Sequence, residues 1–265
     1  MRELVTVVVA SYNYERFLSR TLESIRSQTW TGWEALVVDD GSSDGSVDLI
    51  RRFSERDRRF RLLQHVGGAN EGLGATLQLG IRSASGEWIA FCESDDWWEP
   101  GFLQRLSEAA AAHPECGVLF SDVVLEGSSP TMEAHCVMVR EHFRRGARAV
   151  DLYHAMSNAV PTMSCAMVRA ALIRNCDFNA RFPPSLDMWL WAQLAARTEF
   201  RYVDLPLCHW RQHETSYMKQ EVDPARLDMN RVLAFHEDIR GLLPPPAPQP
   251  RHPGVLQRLK RLFHR

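Results

Sequence analysis

No run of 18 consecutive apolar residues occurs in this 265-residue chain, so no segment is long enough to cross a bilayer as a helix. The N-terminus passes from Arg2 and Glu3 straight into residues 5–10. That apolar stretch is too short for a signal peptide and lacks a cleavage site, so a cytoplasmic protein is expected. The six cysteines, Cys92, Cys116, Cys136, Cys165, Cys176 and Cys208, include no CxxC pair and no zinc-like spacing. Unpaired thiols without disulfides are therefore expected. An excess of positive charge is also missing, the formal net charge being -2, which argues against nucleic-acid binding. The glycine-rich stretch 67–74 contains no GxxxxGK[ST], and Gly72-Leu73-Gly74 lacks the third glycine of a dinucleotide fingerprint. There is no internal repeat.

What remains is an ordinary globular composition, 45% apolar and 24% charged, in a chain that can bury a full core. Residues 4–10 are rich in β-branched side chains and predict a buried strand, closed by the polar turn Ser11-Tyr12-Asn13-Tyr14. Phe17, Leu18, Leu22 and Ile25 recur at helical spacing, which predicts a helix over 15–28. The same alternation predicts strands over 33–38 and 60–65 and helices from about 47 and over 75–83. Further helices are expected over 102–112, after Asp187 and over 225–242, and strands over 117–124, 161–169 and 202–207. Residues 126–158 have no clear pattern. A proline-rich linker, 244–253, precedes the basic amphipathic tail 254–265.

The stretch 87–100 carries the densest chemistry. An apolar run ends at Cys92, and Glu93, Asp95 and Asp96 follow within four residues. Acids at the C-terminal end of a buried parallel strand stand where open α/β sheets bind ligands. Packed this closely, carboxylates repel one another and either splay into water or converge on a cation. Asp39 and Asp40 end the strand over 33–38 in the same way.

Taken in order, Val7-Val8-Val9-Ala10-Ser11-Tyr12-Asn13, Val37-Val38-Asp39-Asp40-Gly41-Ser42, the acidic stretch, Leu186-Asp187 and Trp210-Arg211-Gln212-His213 resemble glycosyltransferase family 2, inverting enzymes of the GT-A fold. The resemblance covers about residues 4–216 and implies an α/β fold with a Rossmann-like, mostly parallel sheet flanked by helices and a C-terminal acceptor-side region. It implies a domain over 1–220, with a nucleotide part to about 125 and an acceptor part over 126–220, then a helix over 221–243.

By the same resemblance Asp95 is expected to bind a divalent cation, Mn²⁺ or Mg²⁺, with His213 completing the site in some members. Asp40 would accept a hydrogen bond from the nucleotide base, beside Tyr12 and the Ala10 backbone. Glu93 would lie near the ribose, Asp96 would be a supporting acid of the cofactor-binding set, and Asp187 would be the general base. The implied partners are a nucleotide-sugar donor, a UDP-sugar first, and a glycan or lipid-linked acceptor in bacterial surface-polysaccharide assembly. A peripheral contact with the inner membrane through the tail is left open.

The chain departs from the family's pattern at several places. Glu93 stands for an aspartate, and Leu186 and Gln193 replace an acid and an arginine around the base. Leu77-Gln78 replaces an Arg-Asn pair. Trp97, Trp98, Trp189 and Trp210 lie near matched motifs, as sugar-stacking faces or as core. Two other readings compete: a non-catalytic nucleotide-sugar or glycan-binding module, and a sugar-phosphate nucleotidyltransferase. The latter needs a Gly-rich, Arg-bearing loop after the first strand, which Ser11-Tyr12-Asn13-Tyr14 does not supply.

Overall fold

In the computed structural model the β-branched runs of the N-terminal half become parallel strands joined by helices. Residues 3–127, 130–179, 185–213 and 229–245 are described. The strands β1 (Val5–Ser11), β2 (Trp33–Asp39), β3 (Phe60–Gln64) and β4 (Trp88–Phe91) alternate with α1 (Glu15–Arg26), α2 (Ser46–Arg56) and α3 (Leu73–Ser83). β1 lies between β2 and β4, with Val5 opposite both Trp33 and Trp88. Val7, Val9, Leu36 and Ile89 are wholly buried, as expected for strands covered on both faces. Each such aliphatic side chain contributes about 1.5–3 kcal/mol on burial.

The other half of the sheet is mixed. The short strand β5 (Trp97–Trp98) is followed by α4 (Phe102–Ala112) and the long β6 (Cys116–Glu126). β7 (Ala166–Arg169) runs antiparallel to both β4 and β6, and β8 (Glu199–Arg211) runs parallel to β6 and antiparallel to β5. The strand order is β3-β2-β1-β4-β7-β6-β8-β5. The pairing of β6 with β8 slips between Ser121 and Val123, a bulge that bends the sheet.

Three expectations change in detail. The strand predicted over 161–169 begins only at Ala166, because Thr162 caps a 3₁₀ turn, Met163–Cys165, accepting the Ser164 N–H at 3.3 Å. The last strand extends through Arg211, and Trp97 and Trp98 pair with it at His209 and Cys208. The unpatterned middle holds α5 (Pro130–Arg144) and α6 (Ala149–His154). α5 buries Cys136 and Val139 yet leaves Val137 51% exposed, so its apolar face is narrow and its periodicity weak.

Beyond β7 come α7 (Ala170–Ile173), α8 (Leu186–Ala195) and α9 (Met229–Leu242). α8 is apolar nearly all round and packs among α6, α7 and α9. All six thiols are free. Among the described residues no helix is long and apolar enough to cross a membrane. The expected tail, and most of the expected linker, lie outside the described residues.

Two glycines permit the close approach of chain to sheet. A Cβ at Gly86 would stand 2.6 Å from the Thr6 nitrogen and 2.8 Å from the Leu4 carbonyl oxygen, whereas one at Gly80 would meet the side chains of Val8 and Val38 at 2.6 and 3.2 Å. Backbone cannot yield as a side chain can. We predict that Gly86→Ala destabilises by about 2–3 kcal/mol. Gly80→Ala should cost only about 1 kcal/mol, because better helix propensity offsets part of the crowding. Denaturant unfolding of the two variants checks the order; a neutral Gly86→Ala contradicts it.

Candidate active site

Parallel strands end on one edge of the sheet, so β1, β2 and β4 deliver their C-terminal residues side by side. At the β2 end Asp39 Oδ1 accepts the Gly41 and Ser42 N–H groups at 3.2 and 3.1 Å, forming a tight turn with Gly41 at φ 79°. Asp40 faces the loop after β3. Its Oδ1 accepts the Glu71 N–H at 2.7 Å and its Oδ2 the Gly72 N–H at 3.0 Å, with His65 Nε2 at 3.5 Å from Oδ1. Asp40 thus clamps the glycine-rich loop, and each oxygen keeps a second lone pair for another donor. Ala10 lies within β1, and Tyr12 beyond its end is 47% exposed, an aromatic face with room beside it. Asn13, which carried no role in the sequence, joins the two turns: it adopts φ 56°, and its Oδ1 accepts the Ser43 N–H at 2.8 Å.

The acidic turn follows β4. The Asp96 N–H donates to the Glu93 carbonyl at 3.0 Å, and the Thr21 hydroxyl of α1 lies 3.0 and 2.7 Å from the carbonyls of Ser94 and Asp96. Glu93 is bound from the entrance to β7: the Thr162 hydroxyl donates to Oε2 at 2.7 Å, and the Glu93 N–H donates to Ser164 Oγ at 2.9 Å. Burial, and then the charge of Asp95, push the Glu93 carboxyl up to about 7. Asp96 is 1% exposed; its Oδ1 accepts the Arg211 N–H at 2.8 Å, while its Oδ2 is buried without a partner among the described residues. Burial, reinforced by Asp95 and Glu93, pushes the Asp96 carboxyl well above its ordinary range.

The structure brings the two expected metal ligands together. Asp95 Oδ2 and His213 Nε2 stand 2.9 Å apart, and the imidazole packs on Phe17 with ring centroids 4.5 Å apart. Among the described residues no group of three His, Cys, Asp or Glu side chains forms a ready-made cage. An oxygen and a nitrogen donor fit a hard divalent cation that takes its other ligands from phosphate oxygens and water. Arg211 adds positive charge here, its guanidinium 4.6 Å from the ring centres of Phe17 and of Trp97. Arg20 covers Trp97 at 3.4 Å.

Asp187 occupies the first turn of α8. Its Oδ2 accepts a hydrogen bond from Asn158 Nδ2 at 2.9 Å, and its charge is felt at Glu93. Burial pushes its carboxyl up. The departures near it have physical reasons. Gln193 is 3% exposed and pairs with the Asp177 backbone both ways, accepting the N–H at 2.8 Å and donating to the carbonyl at 2.9 Å. Leu77 is core, 3% exposed. Trp97 and Trp98 are buried, Trp97 against His209 and Trp98 against Phe102, so neither offers a free face to a sugar. Trp189 and Trp210 are half-buried.

Comparison with known proteins agrees with this geometry. The model of "Glycosyl transferase family 2" matches residues 6–175. EpsH of Bacillus subtilis strain 168 is 35% identical over 130 residues, 49% of this chain and 37% of that protein. The Escherichia coli UDP-Glc:alpha-D-GlcNAc-diphosphoundecaprenol beta-1,3-glucosyltransferase WfgD is 38% identical over 95 residues, 36% of each chain. These matches span little more than a third of the relatives' own lengths. Among solved structures, glucosyl-3-phosphoglycerate synthase from Mycobacterium tuberculosis, in complex with Mn²⁺, UDP and glucosyl-3-phosphoglycerate, superposes with a TM-score of 0.61 at 15% identity. That superposition covers 91% of this chain and 81% of that one. The strand order, the acidic turn and the family match together place this chain in glycosyl transferase family 2, with the GT-A fold.

Proposed function

We propose that the chain is a metal-dependent inverting glycosyltransferase that moves a sugar from a nucleotide diphosphate sugar to a hydroxyl of a glycan or lipid-linked acceptor in bacterial surface-polysaccharide assembly. One observation carries the reading: the turn after β4 sets Asp95 against His213, while Asp187 comes close enough from α8 for its charge to act on Glu93. WfgD, by its name, uses UDP-Glc and a diphosphoundecaprenol-linked sugar, which supports a UDP-sugar and a lipid-linked acceptor for this chain.

Asp95 and His213 would hold Mn²⁺ or Mg²⁺. A bound cation of this kind stabilises the negative charge that gathers on a leaving diphosphate. Asp40, Tyr12 and the Ala10 backbone receive the base and ribose end. Glu93, fixed by Thr162 and Ser164, lines the turn on the ribose side. Asp187 takes the proton from the acceptor hydroxyl as that oxygen attacks the anomeric carbon. Attack from the face opposite the diphosphate breaks the old C–O bond and inverts the centre.

Four outcomes are expected. Asp95→Ala should remove the thermal stabilisation that UDP with Mn²⁺ gives the wild type, measured by differential scanning fluorimetry; retained stabilisation counts against the metal site. Asp187→Asn should lower transfer by about 10²–10⁴-fold with UDP affinity unchanged, and an active variant would return the chain to the binding-module reading. In the wild type the base works only when ionised. Its raised pKa therefore places the acid limb of the kcat/KM profile above the range of an ordinary aspartate, as pH titration of UDP release would show. The membrane contact left open by the sequence is tested by liposome flotation: if the tail makes it, a chain ending at Gly241 loses the binding to anionic vesicles that the full chain shows.

A further inference from the structure

Asn158 lies between α6 and the turn that leads into β7. Its Oδ1 accepts the Tyr153 hydroxyl at 3.0 Å and the Val160 N–H at 3.3 Å, and its Nδ2 donates to Asp187 Oδ2 at 2.9 Å. The orientation of this amide follows from chemistry. A backbone N–H can only donate, so the end facing Val160 must be the oxygen, and the nitrogen must face the carboxylate. Tyr153 is 0% exposed, within α6, so its hydroxyl has little freedom to turn away.

We infer that Tyr153 and Asn158 are positioning residues for Asp187, a fixed relay that holds Oδ2 and so sets the orientation of the carboxylate that takes the acceptor proton. The inference rests on the reading of Asp187 as the base. A carboxylate at the start of a helix can rotate about its side-chain bonds. A donor anchored on two sides removes that freedom and favours the ionised form. Among the described residues the groups that sense the Asp187 charge are Glu93 beyond β4 and Tyr153 on α6. Burial raises the Asp187 carboxyl, and the Met188 N–H, then Asn158 and its own N–H, oppose that rise.

The test uses the full chain, with Asn158→Ala and Tyr153→Phe beside Asp187→Asn. In the free protein, ¹³C NMR of labelled aspartate carboxyls, with Asp187 assigned by its absence in Asp187→Asn, follows the titration directly. Asn158→Ala should move the Asp187 titration upward by about one pH unit, because the lost donor had favoured the charged form. The acid limb of UDP release from a UDP-sugar with Mn²⁺ should move with it. At neutral pH kcat should fall about ten-fold while the donor KM changes less than about two-fold. Tyr153→Phe should shift both in the same direction by less, since the Val160 N–H still holds the amide, and it carries the test if Asn158→Ala does not fold. The inference is overturned if both measures stay at the wild-type position in a folded variant, as judged by its UDP affinity and thermal midpoint. Undiminished transfer by Asp187→Asn would instead overturn the assignment of the base itself, so the two failures are distinguishable.

Discussion

The buried carboxylate of Asp96 is the constraint on which the site depends. Taking a charge out of water is costly unless it is paired or hydrogen-bonded, and a group so placed shifts towards its neutral form. Asp96 has one oxygen on the Arg211 N–H and the other without a partner among the described residues, and its carboxyl is accordingly pushed up. In return it ties the turn after β4 to the end of β8. Thr21 ties the same turn to α1, and Ser164 ties it to the approach to β7. Three elements far apart in sequence are thus fixed to four residues, and Asp95 is carried on a turn whose backbone has little freedom.

The same burial sharpens the repulsion among the carboxylates of the turn. Glu93, Asp95 and Asp96 stand in a partly dry environment where like charges cannot all be ionised cheaply, and the Glu93 carboxyl rises to about 7. The arginines stacked on Trp97 lie outside the turn and serve it at longer range. Holding these carboxylates together costs stability, and such local conflict is common where a protein keeps a binding site.

Much of this was legible in the chain. β1 to α3 could be read from β-branched runs and helical spacing because those elements are regular and β1 and β2 are buried on both faces. The residues matching the family's motifs fall at the strand ends and on α8, and Asp95 meets His213 across 118 positions of sequence. Residues 126–158 were not legible, because α5 buries few apolar positions and α6 is short. Gln193 looked like a lost arginine. Its amide is instead spent on the Asp177 backbone, a partnership between residues 16 apart that no periodicity records. Asn158 carried no signal at all, since an asparagine in a loop is ordinary until its three partners are seen.

The reversal of β7 explains how Asn158, Thr162 and Ser164 come to the edge of the acidic turn. Parallel strands would have sent the chain leaving β6 back to the far edge of the sheet. β7 instead runs against β4, with Met167 opposite Ala90 and Arg169 opposite Trp88. Its first residues therefore lie beside the last residues of β4, and whatever precedes β7 must lie beside whatever follows β4. Thr162 and Ser164 reach Glu93 for that reason, and Asn158, a few residues earlier, comes to the same edge and meets Asp187. A parallel β7 would place Asn158, Thr162 and Ser164, which precede it, at the opposite end of the sheet, away from the acidic turn.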